Sequence, residues 1–318
     1  MNPYVFIVGC PRSGTTLLRR LVDTHSHIAI IHQSRFIPNF FERRRGLTPE
    51  GLVTTKLVDR LLEARGVKNL ETSREMLESF VEAGEPVSYS TFVTGIFDLY
   101  GKGQGKRLVG DKTPAYVRRI PTLHALWPEA RFVHLIRDGR DVCMSAINWR
   151  KADHALGRFS IWEVDPITTA AVWWEWHVRL GREDGGSLAP KLYHEVRYET
   201  LVSMPEETCA ALCDFLGLPY DDAMLKFHEG REKADPNLDA KKAWRPLTPA
   251  LRKWSEQMPA EDLERFEAAA GDLLEELGYP RACPPPPEEK LARAVRIRES
   301  FTREASASGK RLPKGWQA

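Results

Sequence analysis

Apolar positions along the chain change period at Gly9, and that change sets the reading of the first thirty residues. Tyr4 to Gly9 is an almost wholly apolar run rich in β-branched and aromatic residues, the pattern of a strand buried on both faces. Beyond it Gly9, Pro11, Ser13 and Gly14 predict a tight turn, and Leu17-Leu18, Leu21 and Val22 then recur at helical spacing. A second apolar run, His27 to Ile31, predicts a neighbouring parallel strand that ends in His32-Gln33-Ser34-Arg35. Ligands in open α/β sheets gather at such carboxyl ends, so these four residues are site candidates.

Further along, 36–100 reads as mostly helical, with Leu57, Val58, Leu61 and Leu62 on one face and Arg43 to Arg45 on a solvated one. Gly101 to Gly105 lacks apolar content and predicts a mobile loop. A strand follows that stops at Gly110, with Lys112 at its junction and Pro114 opening the next helix. Phe132 to Ile136 predicts another buried strand, Asp138-Gly139 its turn, and Asp141 onward a helix with acid at its start. The polar and aromatic stretch Arg150 to Asp165 is a candidate lid. Thr168 to Arg182 predicts a helix whose Trp173, Trp174 and Trp176 belong to the core. Lys191 to Tyr198 alternates as a strand, Pro205 to Leu216 is a helix closed by Gly217, and Leu263 to Leu277 is a last amphipathic helix. Pro284 to Pro287 divide the chain into a domain over 1–283 and a loosely held tail over 284–318. The fold class expected is α/β: three layers, with a mainly parallel sheet between helices.

Composition narrows the function classes. The chain has 318 residues, enough for one large α/β domain, and a formal net charge of +2, too small to imply a nucleic-acid partner. Five cysteines without regular spacing make no disulfide framework, and Cys209 and Cys213, four apart on a helix, are read as core. No apolar run approaches the roughly 18 residues of a membrane helix. The first strand begins too early for a signal segment, so a cytoplasmic protein is expected. No His, Cys or carboxylate cluster has metal-ligand spacing, and no metal is expected.

The turn at Gly9 to Thr16 carries the chemistry. Glycine admits close backbone approach, the amides and the helix N-terminus favour an anion, and Ser13, Thr15 and Thr16 add hydroxyl donors. Gly9 and Gly14 keep the spacing of a nucleotide-triphosphate loop, G-x-x-x-x-G-K-[ST], but Thr15 stands where that loop has lysine, and the cation has moved to Arg12. This counts against a P-loop kinase or NTPase. Arg137 at a strand end and Ser145 a turn into the helix that follows form a second candidate phosphate grip.

CPRSGTT, GDKTP, RDGRDVCMS and RYETLV occur in an order and spacing that resembles the sulfotransferases using 3′-phosphoadenosine 5′-phosphosulfate (PAPS). Within that family the chain looks most like the branch that contains bacterial sulfotransferases and the catalytic domain of protein-tyrosine sulfotransferases. The likeness runs from about Pro3 to Arg281 and includes Lys253-Trp254 and Leu277 to Pro280. The resemblance implies a P-loop-containing fold and in-line transfer of a sulfuryl group to an acceptor hydroxyl on a small molecule, glycan, lipid or peptide tyrosine. It implies that Arg12, Ser13, Gly14, Thr15 and Thr16 wrap the 5′-phosphosulfate and that Arg137 and Ser145 hold the 3′-phosphate. Lys112 would stabilise the leaving oxygen, and Tyr198 and Lys253 would line the nucleotide pocket. Gln33 departs from the family pattern, which has a glutamate there as base, and an amide cannot take that proton. His32 is the expected substitute; a catalytically impaired nucleotide-binding protein is the alternative.

Overall fold

The computed structural model describes residues 4–64, 67, 72–81, 86–149, 152–229 and 253–316. Five parallel strands form the sheet: β1 (Val5–Gly9), β2 (Ile28–His32), β3 (Leu108–Lys112), β4 (Arg131–Ile136) and β5 (Tyr193–Arg197), in the order β2-β3-β1-β4-β5. Between them run α1 (Thr15–Thr24), α2 (Ile37–Glu42), α3 (Thr55–Glu63), α4 (Arg74–Ser79), α5 (Tyr89–Gly103) and α6 (Ile120–Leu126), then α7 (Gly139–Ile147), α8 (Ala152–Ala155), α9 (Ile161–Val164) and α10 (Pro166–Gly186). After β5 come α11 (Tyr198–Ser203), α12 (Pro205–Leu216), α13 (Trp254–Gln257), α14 (Ala260–Glu276) and α15 (Glu288–Ala307). Among the described residues no helix is long and apolar enough to cross a membrane.

Strand alternation divides the core. Tyr4, Phe6, Val8 and Phe132 pack on the side of α2, α3, α5 and α6, while Val5, Ile7, Val133 and Leu135 pack on the side of α1 and α12. The sheet is therefore apolar on both faces, as the run from Tyr4 requires. A further core forms around α10, which brings Trp173, Trp174 and Trp176 inside together with residues of α7, α14 and α15. Cys209 and Cys213 are buried, with Cys213 Sγ 3.5 Å from Met224 Sδ. β1 lies between β3 and β4, so the chain leaves it first to one side and then to the other. The end of β1 is the topological switch point, where such sheets bind ligands.

Four expectations are corrected. The Gly101 to Gly105 stretch is not wholly a loop: α5 runs on to Gly103, and a Cβ at Gly101 would come within 2.5 Å of Val109 Cγ2, so glycine there serves helix-to-strand packing. β3 passes through Gly110 to end at Lys112. The described part of the lid candidate is docked: Leu156 and Phe159 are buried, and Phe159 stacks on Phe301 with centroids 4.0 Å apart. Beyond the prolines, finally, the tail is not loosely held. α15 buries Ala294, Ile297, Phe301 and Ala305 in the α10 core, and Trp176 Nε1 donates to Arg311 O at 2.8 Å. Helix α14 is thus not the last.

Candidate active site

The loop after β1 turns at Cys10, whose carbonyl accepts from Ser13 N at 3.2 Å, and delivers the chain into α1 through Gly14 in the left-handed region at φ +98°. A Cβ at Gly14 would lie 2.5 Å from the Tyr198 ring, so the loop can pass that ring only as glycine. Arg12 also has positive φ, at +79°, unusual for a residue with a side chain. Helix α1 has no acidic residue in its first turn, so its amide end keeps its attraction for an anion. Ser13 Oγ is shut off from solvent and has no hydrogen-bond partner among the described residues.

Three elements bring their side chains to this loop. From β3, Lys112 is fully buried and its Nζ donates to Thr16 Oγ1 at 3.3 Å. From α7, Ser145 Oγ accepts from Arg12 Nε at 3.0 Å, while the Arg12 guanidinium lies 5.4 Å from the Trp149 ring centroid. From the end of β4, Arg137 donates through Nη2 to Asp141 Oδ2 at 2.8 Å and lies over the Tyr198 ring at 4.2 Å, leaving a buried Nε without a partner among the described residues. Tyr198 therefore touches the loop glycine and also carries Arg137. It does so as the first residue of α11 and not, as expected, as the last of a strand. The residues of the two candidate grips read from the sequence are thus brought together around one loop.

Lys253 is not brought in as expected. Its side chain is half exposed and pairs with Glu256 at 3.1 Å. Its neighbour makes the contact: Trp254 N donates to Asp141 Oδ1 at 2.9 Å, and the Trp254 ring lies 3.8 Å from the Arg140 guanidinium. Asp141 thus holds Arg137 with one oxygen and the Trp254 backbone with the other. The sequence marked Asp141 only as an acid in a first turn; its position four residues after Arg137 on a helix start was the signal of the pair. Burial pushes its carboxyl above the usual carboxylate range, opposed chiefly by the Arg137 charge.

At the end of β2, His32 is paired in register with Lys112. Burial above all, then the charges of Lys112, Arg19, Arg35 and Arg20, push its imidazole down to about 3, so it is neutral at ordinary pH. Ser34 turns inward: its N donates to Asp111 Oδ2 at 2.8 Å and its hydroxyl is 2.9 Å from the Tyr116 hydroxyl, so this site candidate is a structural residue. Gln33 and Arg35 both have left-handed backbone, φ +61° and +62°, and Gln33 Oε1 accepts from Arg35 Nε at 2.8 Å and also from Arg35 Nη2. Among the described residues no group of three or more His, Cys, Asp or Glu side chains could hold a metal ion.

The profile of the sulfotransferase family matches residues 3–222. Protein-tyrosine sulfotransferase A of Caenorhabditis elegans is 27% identical over 304 residues, which is 92% of this chain and 72% of that protein. Protein-tyrosine sulfotransferase 1 of Danio rerio is 28% identical over 300 residues, 89% of this chain and 74% of that one. Among solved structures, the sulfotransferase domain from the Synechococcus PCC 7002 olefin synthase superposes with a TM-score of 0.53 at 24% identity, covering 87% of this chain and 95% of that chain, which speaks for the fold.

Proposed function

The chain belongs to the sulfotransferase family and is a sulfotransferase, and from that premise we propose that PAPS is its sulfuryl donor and a hydroxyl, foremost a tyrosine phenol, its acceptor. The observation that carries the donor assignment is the single cradle made by the Arg12 to Ser145 hydrogen bond and the Gly14, Tyr198, Arg137 stack. An adenylate with anionic groups at both ends of its ribose needs two cation grips facing one space. The polar atoms of the cradle fit such a group: Ser13 Oγ and Arg137 Nε are buried donors without partners among the described residues, a costly state that an anion would relieve. The phenol assignment draws on the names of the relatives, since fold alone does not transfer specificity.

When bound, the donor supplies an activated sulfuryl group and a bisphosphate leaving group. The loop amides with Ser13, Thr15 and Thr16 bind its 5′ end, and Arg12 offsets charge on the transferring group. Arg137, set by Asp141 and Tyr198, holds the 3′-phosphate with Ser145. Lys112, fixed and dry, places a full positive charge where the bridging oxygen takes up electrons, and a preorganised charge of this kind costs no reorganisation during the reaction. His32, neutral and beside Lys112 in the sheet, is our choice of proton acceptor in place of the glutamate that Gln33 replaces. A phenol asks less of so weak a base than an alcohol does, because its own proton is the more acidic.

Incubation with donor labelled in its sulfate, against tyrosine peptides and against sugar and lipid alcohols, tests this reading. Label is expected on the phenol, with one equivalent of adenosine 3′,5′-bisphosphate released. Absence of transfer to every acceptor, together with no binding of the bisphosphate, would refute the donor assignment. Tight binding of ATP with a magnesium requirement would turn the reading toward a kinase.

A further inference from the structure

The donor cradle leaves a second group of cations unused. Arg118 sits on the 3₁₀ turn Pro114–Arg119 that follows Lys112. Its guanidinium lies over the Trp176 ring at 4.2 Å, and its Nε is sealed from solvent without a hydrogen-bond partner among the described residues. Lys310, just beyond α15, lies over the Phe159 ring with Nζ 4.4 Å from its centroid. The two rings meet edge to face, 6.4 Å apart, so the two cations share one aromatic platform. Arg158 precedes Phe159 in the chain and is exposed.

Among the described residues none of Arg118, Arg158 and Lys310 makes an ion pair, in contrast to Arg119, which reaches Glu42 at 3.3 Å. The carboxylate that acts on Lys310 is Glu304, and it is already engaged by Ser160 through N at 3.0 Å and Oγ at 2.6 Å. Glu304 is thus engaged elsewhere, and no ion pair among the described residues offsets Arg118 or Arg158. A charge removed from water costs several kcal/mol unless paired, and an aromatic face returns about 0.5–2 kcal/mol. The electrostatics agree with the geometry. Burial first, then the charges of Arg119 and Arg158, push Arg118 down, and burial with Arg118 and Arg158 pushes Lys310 down. His177, whose ring lies 5.0 Å from that of Trp176, is held neutral by burial and by Arg118.

We propose that Arg118, Arg158 and Lys310 form a second oxyanion site, separate from the donor cradle, which takes a carboxylate or sulfate group and ties the C-terminal segment to the turn behind the phosphate loop. The link to the loop is direct, because β1 packs on this turn and the Arg118 charge reaches the Cys10 thiol. The oxyanion has two sources, a free ion or an acidic group carried by the acceptor. The second source rests on the transferase reading above.

The test titrates inorganic sulfate, at ionic strength held constant with chloride, into full-length protein already saturated with adenosine 3′,5′-bisphosphate. A saturable rise in thermal midpoint is expected for the unmodified protein. In Arg158→Gln, an exposed change that leaves the core intact, and in Lys310→Met, half-saturation should move up by about tenfold or more, as loss of one charge-assisted bond implies. No rise, or the same rise in all three proteins, overturns the site. A second arm measures acceptor KM with and without sulfate: a raised KM identifies the acceptor as the source and an unchanged KM the free ion, and both retain the site. Failure of the donor reading would show earlier, as absence of stabilisation by the bisphosphate.

Discussion

Gly14 joins backbone conformation to ligand chemistry in one residue. Gly14→Ala would need positive φ on a residue that disfavours it and would push Tyr198 by contact at 2.5 Å, and Tyr198 carries Arg137. The expected outcome is bisphosphate affinity lower by about 10–100-fold, since at least one bond to a charged group worth about 1.5–3 kcal/mol is misplaced. Calorimetric titration reads it, and wild-type affinity would show that the ring does not support the grip. Lys112 should act differently. Lys112→Ala is expected to lower kcat by about 10²–10³-fold, as removal of a donor to developing charge does, while bisphosphate affinity changes little. A loss confined to binding would remove Lys112 from the chemistry. The glycine spacing, Arg12, Lys112 and Arg137 were legible in the sequence because each lies at a strand end or in the turn that follows one, where local pattern predicts position, whereas Ser145, toward the far end of α7, was singled out only through the RDGRDVCMS motif. The left-handed turns at Gln33 and Arg35 were not legible, because neither residue type signals positive φ.

Helix α7 does more than present Ser145. Its Asp141 fixes Arg137 at 2.8 Å and the backbone of Trp254 at 2.9 Å, so the segment at 253–254 is held to Arg137 by one carboxylate. Asp141→Asn keeps an oxygen for Trp254 N but removes the charge that aims Arg137. Bisphosphate binding should weaken about tenfold, in line with a charge-assisted bond, with little change in thermal midpoint without ligand. A large fall in that midpoint at unchanged affinity would make Asp141 structural only. The family resemblance singled out Lys253 and Trp254 but could not say which of them packs against α7, since that depends on Asp141 and Arg140 from a distant helix. Helix α15 gives the same lesson. Its docking could not be read from the chain, because the residues that receive Phe301, Phe159 and Trp176, lie 142 and 125 positions earlier. Phe301→Ala should cost about 3–5 kcal/mol of unfolding free energy, read by denaturant titration; a cost under about 1 kcal/mol would return the C-terminal helix to the status of a loose tail.

Across the whole molecule, buried neutral histidines couple stability to pH. His134 is fully buried in β4, with Nδ1 2.7 Å from the Tyr193 hydroxyl, which in turn donates to Glu195 at 3.0 Å. Nδ1 therefore donates to Tyr193, and Nε2 has no partner among the described residues. Burial pushes His134 down to about 4, His32 is down at about 3, and His177 is pushed well below its ordinary value, again first by burial. The unfolded chain therefore binds these protons first. Their contribution is complete above an unfolded value near 6.5 and drains as pH falls toward about 4 for His134 and about 3 for His32. Asp111 and Asp141, both pushed up by burial, act in the opposite sense, so the total slope mixes signs. A difference between two proteins removes that mixture. His134→Gln retains an amide for Tyr193 but cannot protonate, and its unfolding free energy should fall less steeply between pH 6.5 and 5, by up to about 1.4 kcal/mol per pH unit relative to the unmodified chain. Parallel curves would mean that His134 binds its proton equally well folded and unfolded, and the buried, half-satisfied imidazole would no longer account for acid sensitivity. Because His32 titrates beside Lys112 and not in the β4 core, saturating bisphosphate should leave the His134 difference untouched, which separates the acid response of the fold from that of the site.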